Sequence, residues 1–254
     1  MKYGDFTSLA QNYNKFRPSY SNKIPNILTS YFKSKPKYAD IASGTGIFSK
    51  LCFSNGLKPN YIIEPNQEMI GYAKLNFKNV PKVKFIKNYA EKLTLKNNSL
   101  NLITVASAFH WFNFNLAIKE FNRVLKDKGV VCLCWNTREI KKQDFVFEFE
   151  EKLKKLKNGN LIRKSSGNSI DKDKLIERLM KTNMFSHVDY FEIFHTEKFS
   201  KSRYIGAWKS VNDIRVNLGE KKFNSFIQYL DDKISNKQII NTNYKNKIWI
   251  ACKK

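Results

Sequence analysis

Residues 38–49 read YADIASGTGIFS. A short apolar run carries one acid, Asp40, and Gly44 and Gly46 follow within six residues of it. A strand that ends in a glycine turn and continues as a helix lets a ligand approach the backbone closely, because glycine adopts positive φ and has no side chain in the way.

Working outward, residues 22–33 (NKIPNILTSYFK) set Ile24, Ile27, Leu28, Tyr31 and Phe32 at helical spacing ahead of the turn. After it, IFSKLCFSNGL reads as a helix ended by Gly56, NYIIEP as a second strand and NQEMIGYAKLNF as a second helix. The alternation continues through KVKFIKN, LNLITVAS, FNLAIKEFNRVL and GVVCLCWN. Strands alternating with helices imply parallel βαβ units, so the fold class is α/β.

Beyond Trp135 the rhythm breaks. Phe145, Phe149, Leu153 and Leu156 form one helical stripe over residues 140–157, and NGNLIRKSSGNS reads as a polar, mobile connection. A strand HVDYFEIFHTEKF, helices around 202–217 and 220–234 and a final strand YKNKIWIACK close the chain. The expected organisation is a single domain, 1–254: N-terminal cover helices 1–34, a ligand-binding core 35–137, inserted cover helices 138–185 and 200–237, and last strands 186–199 and 243–254.

The chain has 254 residues, 42% of them hydrophobic, which suffices for one well-filled core. With 20 Phe and 12 Tyr spread along it, wholesale disorder is excluded. No run approaches the ~20 apolar residues of a membrane span, and MKYGDFTSLAQNYNKF lacks the apolar centre of a signal peptide, so a soluble, cytoplasmic protein without a membrane partner is expected. Cys132 and Cys134 fit one face of a buried strand better than a zinc site, and no metal is expected. The 46 Lys and Arg against 22 Asp and Glu give a net charge of +24. The lysines are scattered and interrupted by acids, so nucleic acid is not the favoured partner.

Three ligands compete for the turn. A nucleoside triphosphate needs G-x-x-x-x-G-K-[ST], and no such run exists. A nicotinamide dinucleotide needs G-x-G-x-x-G; Gly44 and Gly46 fit, and Ser49 takes the third place. S-adenosylmethionine needs a close backbone approach for its amino-acid tail and an acid after the next strand for its ribose, and Glu64 ends YIIE there. This spacing alone does not separate the two ribose-bearing cofactors.

The segments ADIASGTGIFS, IIEPNQEMIGYAK, NYAEKLTL, ASAFHWFN, AIKEFNRVLKDKGVV and LCWNTRE stand in the order and spacing of the class I S-adenosylmethionine-dependent methyltransferases, which the chain resembles over nearly its whole length. LAQNYNKFRPSYS and YIGAWKSVNDIR are similar to the small-molecule group that includes trans-aconitate methyltransferases. The resemblance implies a Rossmann-like, seven-stranded, mostly parallel sheet with one antiparallel strand and a helical cover over the active edge. It also implies that Asp40, Ala42, Ser43, Gly44 and Gly46 hold the methionine tail and Glu64 the ribose. Asn66, Met69, Asn88, Tyr89 and Ala90 would flank the adenine, Ser107 would lie below the sulfonium, and Tyr13 and Arg17 would close the near side. Ala42 stands where the family usually has glycine; a negative φ makes its methyl group tolerable, and a positive φ makes it strained.

Methyl transfer needs alignment and exclusion of water more than acid–base work. A carboxylate or phosphate acceptor needs no general base, whereas a hydroxyl does, and His110 is the candidate; its alternative is a packed imidazole. Arg17 suits a carboxylate, with Tyr20, Phe109, Trp111, Trp208 and Lys209 as further candidates on the substrate side. His187 and His195 read as surface histidines. The expected activity is methylation, at oxygen, of a small anionic metabolite by a monomer or homodimer. The rivals are methylation of a sugar or natural-product precursor, an RNA methyltransferase or RNA-binding protein, and a cofactor-binding domain without catalysis.

Overall fold

The computed structural model describes residues 5–141, 145–158 and 170–254. The connection expected over 158–169 lies, but for Asn158, outside these residues, as do the ends of the two cover segments at 1–4 and 142–144.

In chain order the elements are α1 (Ala10–Phe16), α2 (Ile24–Thr29), β1 (Tyr38–Ile41), α3 (Ile47–Ser54), β2 (Tyr61–Ile63), α4 (Gln67–Asn76), β3 (Lys84–Ile86) and β4 (Leu100–Ala106). A 3-10 turn at Phe109–Trp111 follows, then α5 (Phe114–Val124), β5 (Leu125–Arg138), α6 (Phe145–Lys157), α7 (Lys172–Met180), β6 (Phe185–Ser200), α8 (Lys201–Lys209), α9 (Asn212–Lys233) and β7 (Ile239–Lys253). The strands form one sheet in the order β3-β2-β1-β4-β5-β7-β6. The first five are mutually parallel, and β7 alone runs against them, antiparallel to both β5 and β6. Strand order reverses between β1 and β4, and in an open α/β sheet the crevice beyond the carboxyl ends at that point is where ligands bind.

All four residues of β1 are buried, as expected of a parallel strand covered on both faces. Alternation sorts the rest. Ala39, Ile41, Val105, Leu133 and Trp135 pack with α5 and with Leu179 of α7 on one face. Tyr38, Leu102, Cys132, Cys134 and Ile248 pack with α2 and α3 on the other. The cysteines are free and buried in that second layer. A third cluster joins α6, α8 and α9 to Phe199, Ile240 and Tyr244.

That cover stands on an extension of the sheet. Strand β7 begins at Ile239, five residues before the expected Tyr244, and pairs with β6 as far as Ser200 and with β5 as far as Arg138. The helix expected over 202–217 is two pieces, α8 and the start of α9, and α9 is itself broken at Gly219, which has φ 71°. Helix α7, which the periodicity reading did not single out, packs Leu175, Ile176, Leu179 and Met180 against the main core rather than with the cover. No helix among the described residues is long and apolar enough to cross a membrane.

Candidate active site

The turn after β1 is held from below and from the side by two carboxylates. Asp40 lies wholly buried under it and accepts from Ser49 Oγ at 2.5 Å and Thr104 Oγ1 at 2.7 Å, tying β1 to α3 and β4. Burial pushes its carboxyl up to about 6, and the two hydroxyl donors hold it back from rising further. Asp40 was expected to line the methionine tail; its position corrects that, because its side chain supports the turn and does not reach the cavity wall.

Glu64, at the end of β2, accepts from the backbone N–H of Gly44 at 2.8 Å and of Asn66 at 2.9 Å. Burial raises its pKa, and the two N–H donors oppose the rise. Each oxygen keeps a second lone pair, and the residue forms part of the cavity wall. Ala42, Gly44, Gly46 and Ser107 all have positive φ, 51°, 58°, 80° and 54°. The backbone thus bends away twice at the switch point, once after β1 and once after β4. Ala42 takes the strained alternative.

The cavity above the turn gathers Tyr13, Arg17, Tyr20, Ala42, Ser43 and Gly44. Glu64, Met69, Tyr89, Ala90, Ser107 and Trp111 complete the expected wall. Residues the sequence reading missed join them, chiefly Phe6, Phe48, Glu91, Phe112 and Asn136. Tyr20 packs edge-on against Phe48 and donates to Ser107 Oγ at 2.9 Å, and burial raises its pKa so that it stays neutral.

The N-terminal segment closes the front. Arg17 stacks on Tyr13 at 4.7 Å and donates from Nη2 to the Ser210 carbonyl at 3.1 Å. Asn136 Nδ2 donates to the Ser19 carbonyl at 2.8 Å, and the Ser21 N–H donates to Asn246 Oδ1 at 2.8 Å. Asn136 Oδ1 in turn receives Asn246 Nδ2 at 2.8 Å and lies 3.1 Å from His195 Nε2. His195 also stacks on Tyr244, and burial lowers its pKa. It is therefore a positioned, half-buried imidazole and not a surface histidine, whereas His187 is exposed beside Asp189.

The remaining candidates lie outside the wall. Asn66 is the N-cap of α4, accepting from Glu68 N and Met69 N at 3.0 Å, and Asn88 accepts from Tyr89 N at 2.9 Å. Gly46 begins α3 behind the turn, where a Cβ would come within 3.3 Å of the Phe77 ring. Phe109 packs edge-on against Phe112 and Phe114 in the core, Trp208 is fully buried in the cover, and Lys209 is exposed. His110 Nδ1 accepts from Trp135 Nε1 at 3.1 Å, on the α5 side of the sheet. That bond fixes the ring as the Nε2–H tautomer and occupies the lone pair a base would use.

The wall's charged groups are two carboxylates, Glu64 and Glu91, and one guanidinium, Arg17. No lysine lines it, in a chain of net charge +24. Such a wall does not suit a pyrophosphate; it suits a cationic sulfonium. The Ser43 hydroxyl is buried there with no hydrogen-bond partner among the described residues, a free group for a polar cofactor tail. The donor set fits S-adenosylmethionine.

Residues 39–133 match the family model described as a methyltransferase domain. A protein of Dictyostelium discoideum that carries a methyltransferase name is 33% identical over 130 residues, 50% of this chain and 48% of that one. The chain spans about half the length of the curated relatives it matches. Among solved structures, a type II methyltransferase from Anaeromyxobacter dehalogenans aligns with a TM-score of 0.64 at 17% identity, over 93% of this chain and 98% of that one. The Haemonchus contortus phosphoethanolamine N-methyltransferase 2, in complex with phosphomonomethylethanolamine and S-adenosylhomocysteine, aligns at 0.55 and 12% identity, over 96% of this chain and 56% of that one. Sequence match, strand order and the sulfonium-compatible cavity agree: this chain carries a class I S-adenosylmethionine-dependent methyltransferase domain.

Proposed function

We propose that the chain transfers a methyl group from S-adenosylmethionine to an oxygen of a small, anionic metabolite. The observation that carries this reading is the asymmetry of the wall: carboxylates Glu64 and Glu91 on the cofactor side, and the single cation, Arg17, on the segment that closes over the acceptor side. Bound S-adenosylmethionine supplies an electrophilic methyl carbon on a sulfonium.

The protein's own groups supply position and dryness. Glu64, braced by two backbone donors, accepts from the ribose hydroxyls, and Ser43 with the turn holds the amino-acid tail. Met69, Tyr89, Ala90 and Phe112 flank the adenine. Tyr20 is neutral and engaged with Ser107, and His110 is engaged with Trp135, so neither serves as base. The acceptor oxygen then has to bring its own negative charge, as a carboxylate or phosphate does. Arg17 offsets the cost of stripping water from that anion, while Phe6, Tyr13 and Trp111 keep bulk water out.

The test is transfer of labelled methyl to panels of carboxylic acids, phosphate monoesters, sugars, amines and tRNA, with S-adenosylhomocysteine affinity measured by calorimetry. Turnover confined to acids or phosphates is expected. Turnover confined to tRNA, or to carbon or nitrogen acceptors, overturns the reading.

A further inference from the structure

Beyond Asn136, β5 continues for two residues, so Asn136 and Arg138 lie on one face, facing their partners Asn246 and Tyr244 across the ladder. That face leads from the cavity into the space between the extended sheet and the cover. There the Arg138 guanidinium stacks on Trp208 at 4.2 Å and lies 5.8 Å from the Tyr204 ring centre. Arg138 Nε is buried without a hydrogen-bond partner, and so are the hydroxyls of Tyr204, Tyr244 and Thr242 and the indole Nε1 of Trp208. Tyr204 and Trp208 are fully buried, and Tyr244 and Thr242 are 3% and 2% exposed.

These groups share one property. A guanidinium and an indole can only donate, and a hydroxyl can always donate, so the cluster is a set of converging donors around a cation. Arg138 forms no ion pair among the described residues. Burial opposes its charge, yet the phenols of Tyr244 and Tyr204, with Glu150, outweigh that and raise its pKa, so it is a cation throughout the working range. Buried polar groups are ordinarily satisfied, and a buried cation ordinarily has a counter-charge. An oxyanion, acceptor-only and negatively charged, satisfies both at once, and the planar fork of arginine matches a carboxylate or a phosphate.

We propose that Arg138, Trp208, Tyr204 and Tyr244 form an anion subsite, distinct from the Arg17 position, that holds a second negatively charged group of the acceptor. The inference rests on the methyltransferase reading only in assigning that anion to the acceptor. The acceptor is therefore an acid with at least two anionic groups: one presented to the sulfonium near Arg17 and Ser107, the other anchored past Asn136 at Arg138. Two anchors define the acceptor's length and reject monoacids.

The test uses the full chain saturated with S-adenosylhomocysteine and titrated by calorimetry with acetate, succinate, citrate and inorganic phosphate. Succinate or citrate should bind at least ten times more tightly than acetate, and Arg138→Gln should weaken that binding at least tenfold with S-adenosylhomocysteine affinity unchanged. Arg138→Lys should restore part of it, and Tyr244→Phe, which keeps the packing, should weaken it about threefold. Preference for phosphate over the diacids would assign the subsite to a phosphate monoester in place of a second carboxylate. Unchanged anion binding in Arg138→Gln, or none in the wild type while S-adenosylhomocysteine still binds, overturns the subsite alone. Failure of S-adenosylhomocysteine to bind the wild type overturns the methyltransferase reading instead. If Arg138→Gln does not fold, the Lys and Phe variants decide.

Discussion

Glu64 Oε2 accepts the Gly44 N–H at 2.8 Å, so the acid that would hold the ribose also fixes the turn that would hold the methionine tail. Two strands are coupled through one side chain. Replacing Glu64 with Ala therefore removes a ligand contact and a brace together. Charge-assisted hydrogen bonds contribute about 1.5–3 kcal/mol before water compensates, so S-adenosylhomocysteine affinity should fall roughly thirtyfold. Glu64→Gln should lose nearly as much, because its amide brings a donor to face an N–H. Calorimetry on both variants checks this; an Ala variant that binds as tightly as the wild type would remove Glu64 from the site.

Ala42 at φ 51° makes a prediction of opposite sign. An L-residue in the left-handed region costs roughly 1–2 kcal/mol, and glycine there regains most of it while adding about 0.5–1 kcal/mol of unfolded-chain entropy. Ala42→Gly should raise stability by up to about 1 kcal/mol, which is ~2–4 °C in melting temperature for a chain of this size. Cofactor affinity should stay equal or rise. A lower melting temperature would mean that the methyl group makes contacts worth more than the strain.

The turn, Glu64 and the βαβ alternation were legible because each is a local pattern: glycines at fixed offsets, an acid at a strand end, periods of two and 3.6 residues. Asn136, His195 and Arg138 were not. Their direction depends on the phase of β5 against β7, set by the register Arg138↔Tyr244 between residues far apart in the chain. Trp208 illustrates the converse. Its helix was found, but only the packing of Phe149 and Phe226 around it shows that the ring turns into the cover and away from the cavity. Asp40 was assigned to the ligand because its place in the motif was visible and its donors Ser49 and Thr104 were not.

Asp40 should also leave a signature in pH. Its carboxyl, ordinarily near 3.8, is pushed up to about 6 by burial, so the folded chain binds that proton more tightly than the unfolded chain does. Stability from this group is full below the ordinary carboxylate range and is lost as pH rises to about 6, beyond which it is constant. Between pH ~4.5 and ~7.5 the loss is about 2 kcal/mol. Asp40→Asn will be less stable at every pH, since one hydroxyl donor then faces an amide. The readout is the difference between wild type and variant in urea unfolding at the two pH values. That difference should shrink by about 2 kcal/mol at the higher pH; a constant difference would show that Asp40 titrates normally.

His110 gives a test of the acceptor's charge. With Nδ1 taken by Trp135, His110→Ala should lower turnover by less than about tenfold, where loss of a general base costs ~10²–10⁴. Single-turnover methyl transfer with each acceptor that proves active is the measurement. A thousandfold loss with unchanged cofactor affinity would restore His110 as the base and point to a hydroxyl acceptor.

The closing segment depends on a single close approach. Phe16, at the end of α1, lies against Gly206 of α8 so tightly that a Cβ there would come within 2.3 Å of Phe16 Cγ. That atom is the root of the ring, so a rotamer change cannot clear it, and Gly206→Ala must push α1 outward. Arg17 follows directly in the chain and is pinned by the Ser210 carbonyl, so the displacement reaches the cavity wall. The main sheet makes no use of this contact. Gly206→Ala should therefore leave the core folded while weakening S-adenosylhomocysteine about tenfold or more and exposing residues 5–20 to protease. Phe16→Ala alone should loosen the segment by loss of packing. Combined with Gly206→Ala it should recover protection relative to Gly206→Ala alone, because the added methyl group then occupies the space the ring has left. Equal protease sensitivity of wild type and Gly206→Ala would show that the segment's closure does not depend on this contact.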